Sequence, residues 1–131
     1  MNVASRLEAA NKEYGTEIII GEETRRLAGD RIHVRELDRL VVYGRAGGLA
    51  IYELLGVAAD GTEPPCWAVL YKSALTAYRA QDFARAISLF DQVLAANGSD
   101  RPSQIMLERC REFLQSPPGE DWEAANAMKR K

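Results

Sequence analysis

The sequence predicts an α+β fold followed by an all-helical segment, and three observations predict it. Apolar residues recur at helical spacing up to about Tyr14, form short β-branched or alternating runs between Thr16 and Leu55, and return to helical spacing from Cys66. A stretch of Gly, Pro and small polar residues, Val57–Pro65, separates these two regimes and reads as a linker. The first half strings together a helix, a strand, a second helix and then two or three antiparallel strands, an order typical of α+β domains.

The first helix opens on Asn2-Val3-Ala4-Ser5-Arg6-Leu7-Glu8 and runs to about Tyr14. Val3, Leu7, Ala10 and Tyr14 make one apolar stripe. Asn2 and Arg6 stand four apart, so they share a face at the rim of that stripe. A neutral amide and a guanidinium held side by side can grip a sugar oxygen and a phosphate together. Taken alone, such a pair is most often two solvated side chains. Gly15 suits a left-handed helix cap. Thr16–Ile20 reads as a short buried strand, and Gly21 as a turn. Glu22–Ala28 places acidic residues first and Arg25-Arg26 later, the order that a helix dipole favours. Gly29-Asp30 ends that helix. Ile32–Leu37 alternates loosely, Leu40–Tyr43 is apolar, Gly44–Gly48 is a glycine-rich turn, and Leu49–Leu55 is a closing strand. About four short strands and two helices are marginal as an independent domain, because small chains bury a smaller share of their surface.

Three helices follow the linker. The first, about Cys66 to Ala80, carries Trp67, Leu70, Tyr71, Ala74 and Tyr78 on one stripe. Asp82 caps the second, which runs to Ala96 with Phe83, Ala86, Ile87, Phe90, Val93 and Leu94 inward, and Asn97-Gly98 stops it. Pro102 lies in the first turn of the third, which reaches about Gln115 with Met106, Leu107, Cys110, Phe113 and Leu114 inward. Pro117-Pro118-Gly119 ends it, and Trp122 is expected to fold back as an anchor. This aromatic set is read as core rather than as a peptide-binding groove.

At 131 residues the chain fits one domain or two small ones, and its 47% apolar content allows a core. A net charge of −2 with scattered Lys and Arg gives no reason to expect a nucleic-acid partner. Lys129-Arg130-Lys131 is read as a solvated tail. No apolar run approaches the roughly 20 residues of a membrane span, and the charged opening helix is not a signal peptide. Direct membrane contact by this chain is therefore not expected. Cys66 and Cys110 lack C-x-x-C spacing and are read as buried or partly buried reduced thiols of a cytoplasmic protein. His33 is read as a surface strand residue, with no second metal ligand near it in sequence.

Asn-Val-Ala-Ser-Arg-Leu-Glu, followed by Ala-Asn-Lys-Glu-Tyr-Gly-Thr-Glu-Ile-Ile-Ile-Gly, resembles the second half of a class III adenylate/guanylate cyclase catalytic domain. Val34-Arg35-Glu36-Leu37-Asp38-Arg39, Tyr43-Gly44-Arg45 and Ala50-Ile51-Tyr52-Glu53-Leu54 resemble the closing strands of that domain, in the same order. The similarity covers residues 2 to about 56. It implies a partial cyclase domain over 1–56, a linker over 57–65 and a helical extension over 66–131. Ala74, Asp82-Phe83, Ala86 and Phe90 resemble the small residues, turn and aromatic knob of one tetratricopeptide repeat. One and a half repeats fall short of a solenoid, so these helices are expected to pack on themselves and on the first half. The whole tail resembles the extension of bacterial cyclases that carry a membrane-bound sensor upstream.

The resemblance implies conversion of ATP to 3′,5′-cyclic AMP and pyrophosphate. In the family two metal ions, Mg or Mn, are held by two aspartates, an Asn orients the ribose, and an Arg stabilises charge on the α-phosphate. By residue match these last two are Asn2 and Arg6. Arg45 matches a basic residue that contacts the terminal phosphates, where lysine is usual, and Tyr43 stands where another lysine is common. The metal-binding aspartates and the base-selecting residues belong to the first half of the family domain. Asp30, Asp38 and Asp60 match none of them, so this chain is assigned no metal ligand and no cofactor of its own. The resemblance further implies a shared site in a homodimer of a longer parent, and inactivity of the 131 residues alone. It also implies that a first strand without the family's central strands would have an unpaired edge, and that the first helix would lack its floor. Family members usually carry valine before this Asn, so Met1 is read as a GTG codon taken as a start within a longer gene. The alternative reading is a small helical interaction module, residues 66–115, with a cyclase remnant in front of it.

Overall fold

A computed structural model describes residues 3–42, 45–59 and 62–125, with the backbone alone described for 3–6, 45 and 46. The chain divides into two compact units, Met1–Pro64 with Glu123–Lys131, and Pro65–Trp122.

The first unit is a helix-on-sheet layer. Helix α1 (Val3–Tyr14) ends where the sequence places its cap, at Gly15 with φ 66°. Strand β1 (Ile19–Gly21) leads directly into α2 (Glu22–Ala28), and a 3-10 turn at Gly29–Arg31 leads into β2 (Ile32–Val42) and β3 (Arg45–Val57). The three strands are antiparallel in the order β1-β3-β2, with Gly21 opposite Ile51 and Arg35 opposite Glu53. Glu22 pins α2 to the sheet, its carboxylate accepting from the Ala50 N–H at 2.7 Å. Ala10 and Tyr14 of α1 are buried, as are Ile19, Leu37, Leu40, Leu49 and Ile51 of the strands.

Three expectations are corrected here. The described sheet has three strands rather than about four: of the two or three expected after α2 there are two, because bulges at His33/Val34, Glu36/Asp38 and Leu40/Val42 reset the register of residues 32–42 without ending the strand. The first strand is three residues at Ile19–Gly21, later and shorter than the β-branched run. Helix α1 is not left without packing: it rests chiefly on β1, the Tyr14 hydroxyl reaches Asp38 of β2, and Ala10 and Tyr14 are fully buried. As expected, β1 is an edge of the described sheet, and β2 is the other.

The second unit holds α3 (Cys66–Arg79), α4 (Phe83–Ala96) and α5 (Arg101–Gln115), with α3 packed on α4 and α4 on α5. Asp82 caps α4 by accepting from the Arg85 N–H, and Asp100 caps α5 by accepting from the Ser103 N–H and hydroxyl. Buried Ala74, Ala77 and Ala86 leave room for close helix approach. Tyr71 and Phe90 meet edge to face at 5.2 Å. Trp122 folds back onto Tyr78, Phe83 and Phe113, with ring centres 5.1, 5.8 and 5.3 Å away. Leu114 departs from the expected inward stripe: it is 52% exposed on the last turn of α5. Cys66 also departs, standing exposed as the first residue of α3, while Cys110 is buried and both thiols are free. Among the described residues no helix is long and apolar enough to cross a membrane.

Candidate functional site

The α1–sheet layer of the first unit carries the residues singled out in the sequence. Its polar interior is built by long-range contacts. The Tyr14 hydroxyl donates to Asp38 Oδ2 at 2.7 Å, and both side chains are fully buried. Asp38 Oδ1 accepts from the Arg39 N–H at 2.8 Å. A buried carboxylate is tolerated only when it is hydrogen-bonded, and Asp38 accepts at both oxygens beside the register shift at Glu36/Asp38. Across β2 and β3, Arg35 pairs with Glu53, its Nε donating to Oε1 at 2.9 Å. Arg35 is 4% exposed, so this pair is largely out of water. The two contacts fix α1 over β2 and lock β2 to β3.

Asn2 lies outside the described residues. Arg6 belongs to α1 and Arg45 opens β3, and their side chains also lie outside the described set. Their backbone positions can still be related. Leu7, next to Arg6, brings its Cδ1 to 4.0 Å from where a Cβ at Gly21 would stand. Gly21 pairs with Ile51, and Arg45 precedes Ile51 by six residues on the same strand, on the order of 20 Å away along an extended chain. The fold therefore puts Arg6 and Arg45 on one helix-sheet layer but at separate places along it. Tyr43 and Gly44 lie outside the described residues.

An open groove of 460 Å³ is lined by Arg25, Asp30, His33 and Thr62 among others. It lies at the opposite end of the sheet from Arg45, because Ile32 pairs with Val57 while Val42 pairs with Arg45. His33 is half-buried there rather than free on the surface, with Nε2 3.0 Å from the Thr62 hydroxyl. Among the described residues no group of three or more His, Cys, Asp or Glu side chains stands together as a metal site. Cys110, in the other unit, is pushed up from 9.0 to about 12 by burial, against a smaller lowering by the Arg109 charge.

Sequence reasoning missed the two buried polar pairs. Tyr14 was read only as part of an apolar stripe, and Asp38 only as failing to match a metal ligand. The available signal was an Asp within a strand between Leu37 and Leu40, a position that demands a partner.

No protein-family model matches the chain, and no solved structure matches it. Two curated proteins do. The terminal-differentiation specific adenylate cyclase of Dictyostelium discoideum is 27% identical over 115 residues, covering 84% of this chain and 5% of that protein. Adenylate cyclase 1 of Rhizobium meliloti (strain 1021) is 40% identical over 65 residues, covering 48% of this chain and 10% of that protein. The chain thus spans only a small fraction of the length of these relatives. The matches relate it to adenylate cyclases.

Proposed function

We propose that residues 2–56 are the later part of a class III adenylate cyclase catalytic domain, acting on ATP to give 3′,5′-cyclic AMP and pyrophosphate. The observation that carries the reading is the 40% identity over 65 residues to an adenylate cyclase, in a chain whose first unit is a helix packed on an antiparallel sheet. The longer match supports treating the helical unit as part of the same protein. Residues outside Pro65–Trp122 make up little more than half of the chain, so a match over 84% of it must run into the helices. On this reading those helices are a tetratricopeptide-like extension of a bacterial cyclase.

The chemistry is an in-line attack of the ribose 3′-oxygen on the α-phosphate. It depends on orientation and on charge stabilisation rather than on a covalent intermediate. Asn2 holds the ribose so that the 3′-oxygen lines up. Arg6, four residues further along the sequence, neutralises charge that develops on the α-phosphate. Arg45, at the start of β3, holds the terminal phosphates and the departing pyrophosphate. The Tyr14–Asp38 hydrogen bond ties the C-terminal end of α1 to β2. Divalent metal, Mg or Mn, supplies phosphate charge neutralisation in the family. The described residues form no site that fits it, so no step assigned to this chain runs through a metal. The metal-binding aspartates come from other sequence of the cyclase, in a homodimer whose site is shared between protomers. The 131 residues alone do not turn ATP over.

In the cyclase that contains this sequence, Arg6→Ala is expected to lower turnover about 10²-fold or more, the loss typical of one transition-state donor. Folding, read by circular dichroism, is expected to stay unchanged. Unaltered turnover refutes the role given to Arg6.

A further inference from the structure

We propose that the short tail segment Glu123–Ala125 is a clip on the β2–β3 hairpin, and that it sets the position of Arg45. The second clause rests on the reading of Arg45 as a phosphate contact. The chain leaves the first unit at Pro64 and returns to it at Glu123. Three successive tail residues then make three separate contacts or commitments. Glu123 Oε1 accepts from the Gly47 N–H at 3.0 Å. Ala124 is 5% exposed and holds φ 59°. A residue with a Cβ is disfavoured there and keeps that conformation only where its surroundings fix it. Ala125 crosses Gly48 so closely that a Cβ on that glycine would stand 2.9 Å from the Ala125 Cβ. Gly48 itself is at φ 77°, and the same Cβ would stand 2.7 Å from the Leu40 carbonyl oxygen, so the hairpin and the tail both require glycine there.

The target of these contacts gives the clip its purpose. Gly47 is two residues after Arg45, which opens β3 opposite Val42. Strand β1 reaches only Gly21 opposite Ile51, so it does not extend along β3 to the hairpin. Past the end of β1, Glu123 and Ala125 are the tail's contacts with that end of β3. A cation that must meet a phosphate gains from such restraint, because a fixed side chain loses less freedom on binding. Glu123 is exposed, so its hydrogen bond acts by restraint of the hairpin and not by deep burial.

The test uses Glu123→Ala, Glu123→Gln and deletion of residues 123–131 in the full chain, with exchange of the Gly47 and Gly48 amides followed by NMR. Exchange is expected to quicken about fivefold in Glu123→Ala, the loss of one hydrogen bond, and at least as much in the deletion. Glu123→Gln keeps an oxygen acceptor and is expected to restore the slow rate. In the complete cyclase, Glu123→Ala is expected to raise the KM for ATP several-fold with kcat little changed, and Glu123→Gln to restore it. Arg45→Ala serves as the control. If Arg45→Ala leaves KM unchanged, the phosphate role of Arg45 falls. If Arg45→Ala raises KM but loss of the clip changes neither exchange nor KM, the clip is overturned. A fall in KM on Glu123→Ala also overturns it, because the carboxylate would then be competing with the nucleotide for the hairpin.

Discussion

Replacing Tyr14 by phenylalanine removes one oxygen from the centre of the first unit and leaves the ring in place. The phenol donates to Asp38 at 2.7 Å between two fully buried side chains. A hydrogen bond to a charged group contributes about 1.5–3 kcal/mol. Asp38 keeps the Arg39 N–H, which places the expected loss near the middle of that range, about 2 kcal/mol. Tryptophan fluorescence does not report on this change directly, because Trp67 and Trp122 both belong to the second unit. Amide exchange of β2 and β3 does. A loss of about 2 kcal/mol speeds exchange through unfolding of the first unit roughly 30-fold. Amides of α3–α5 are expected to keep their rates. Exchange of β2 and β3 within twofold of the parent chain would refute the claim that Tyr14–Asp38 holds the helix to the sheet.

Other outcomes follow from the same geometry. Glu53→Ala removes the carboxylate paired with the 4%-exposed Arg35 and is expected to destabilise the first unit by about 3 kcal/mol, whereas Glu53→Gln costs less, as read by urea midpoints. Trp122→Ala empties the seat formed by Tyr78, Phe83 and Phe113 and is expected to cost about 2 kcal/mol, since the ring is half-buried; an unchanged unfolding midpoint contradicts this. Native protein at pH 8 is expected to take up one equivalent of a thiol reagent, at exposed Cys66, and two after unfolding. The folded Cys110 thiol is raised from 9.0 to about 12, so its contribution to stability is complete below pH 9 and is lost as pH rises from there towards 12. Cys110→Ser is expected to flatten that alkaline fall.

Local signals were the legible ones. Helix α2 falls at Glu22–Ala28 and α5 ends at Gln115, as charge order, caps and prolines predict. Strand β2 is legible only in two pieces, Ile32–Leu37 and Leu40–Tyr43, because Asp38-Arg39 interrupts the period-2 pattern. A bulge absorbs that break, and whether a bulge forms depends on the partner strand, which the local sequence does not contain. The buried polar pairs were illegible for the same reason: Tyr14 and Asp38 are 24 residues apart, and Arg35 and Glu53 are 18 apart. The candidate site rests on family resemblance alone, since Asn2 and the side chains of Arg6 and Arg45 lie outside the described residues. Spacing alone gives Asn2 and Arg6 a common helix face and nothing more, and it does not relate either of them to Arg45.

Asn2 and Arg6 are proposed to complete a cyclase site whose metal-binding half lies on the other protomer. The most direct measurement mixes two inactive forms of the cyclase containing this sequence: one with Asn2→Ala and Arg6→Ala, the other with its metal-binding aspartates replaced. Cyclic AMP formed from ATP is the readout. With random pairing, half of the dimers are mixed and each has one intact site, so activity of about a quarter of the parent is predicted. A mixture as inactive as either form alone would contradict the account.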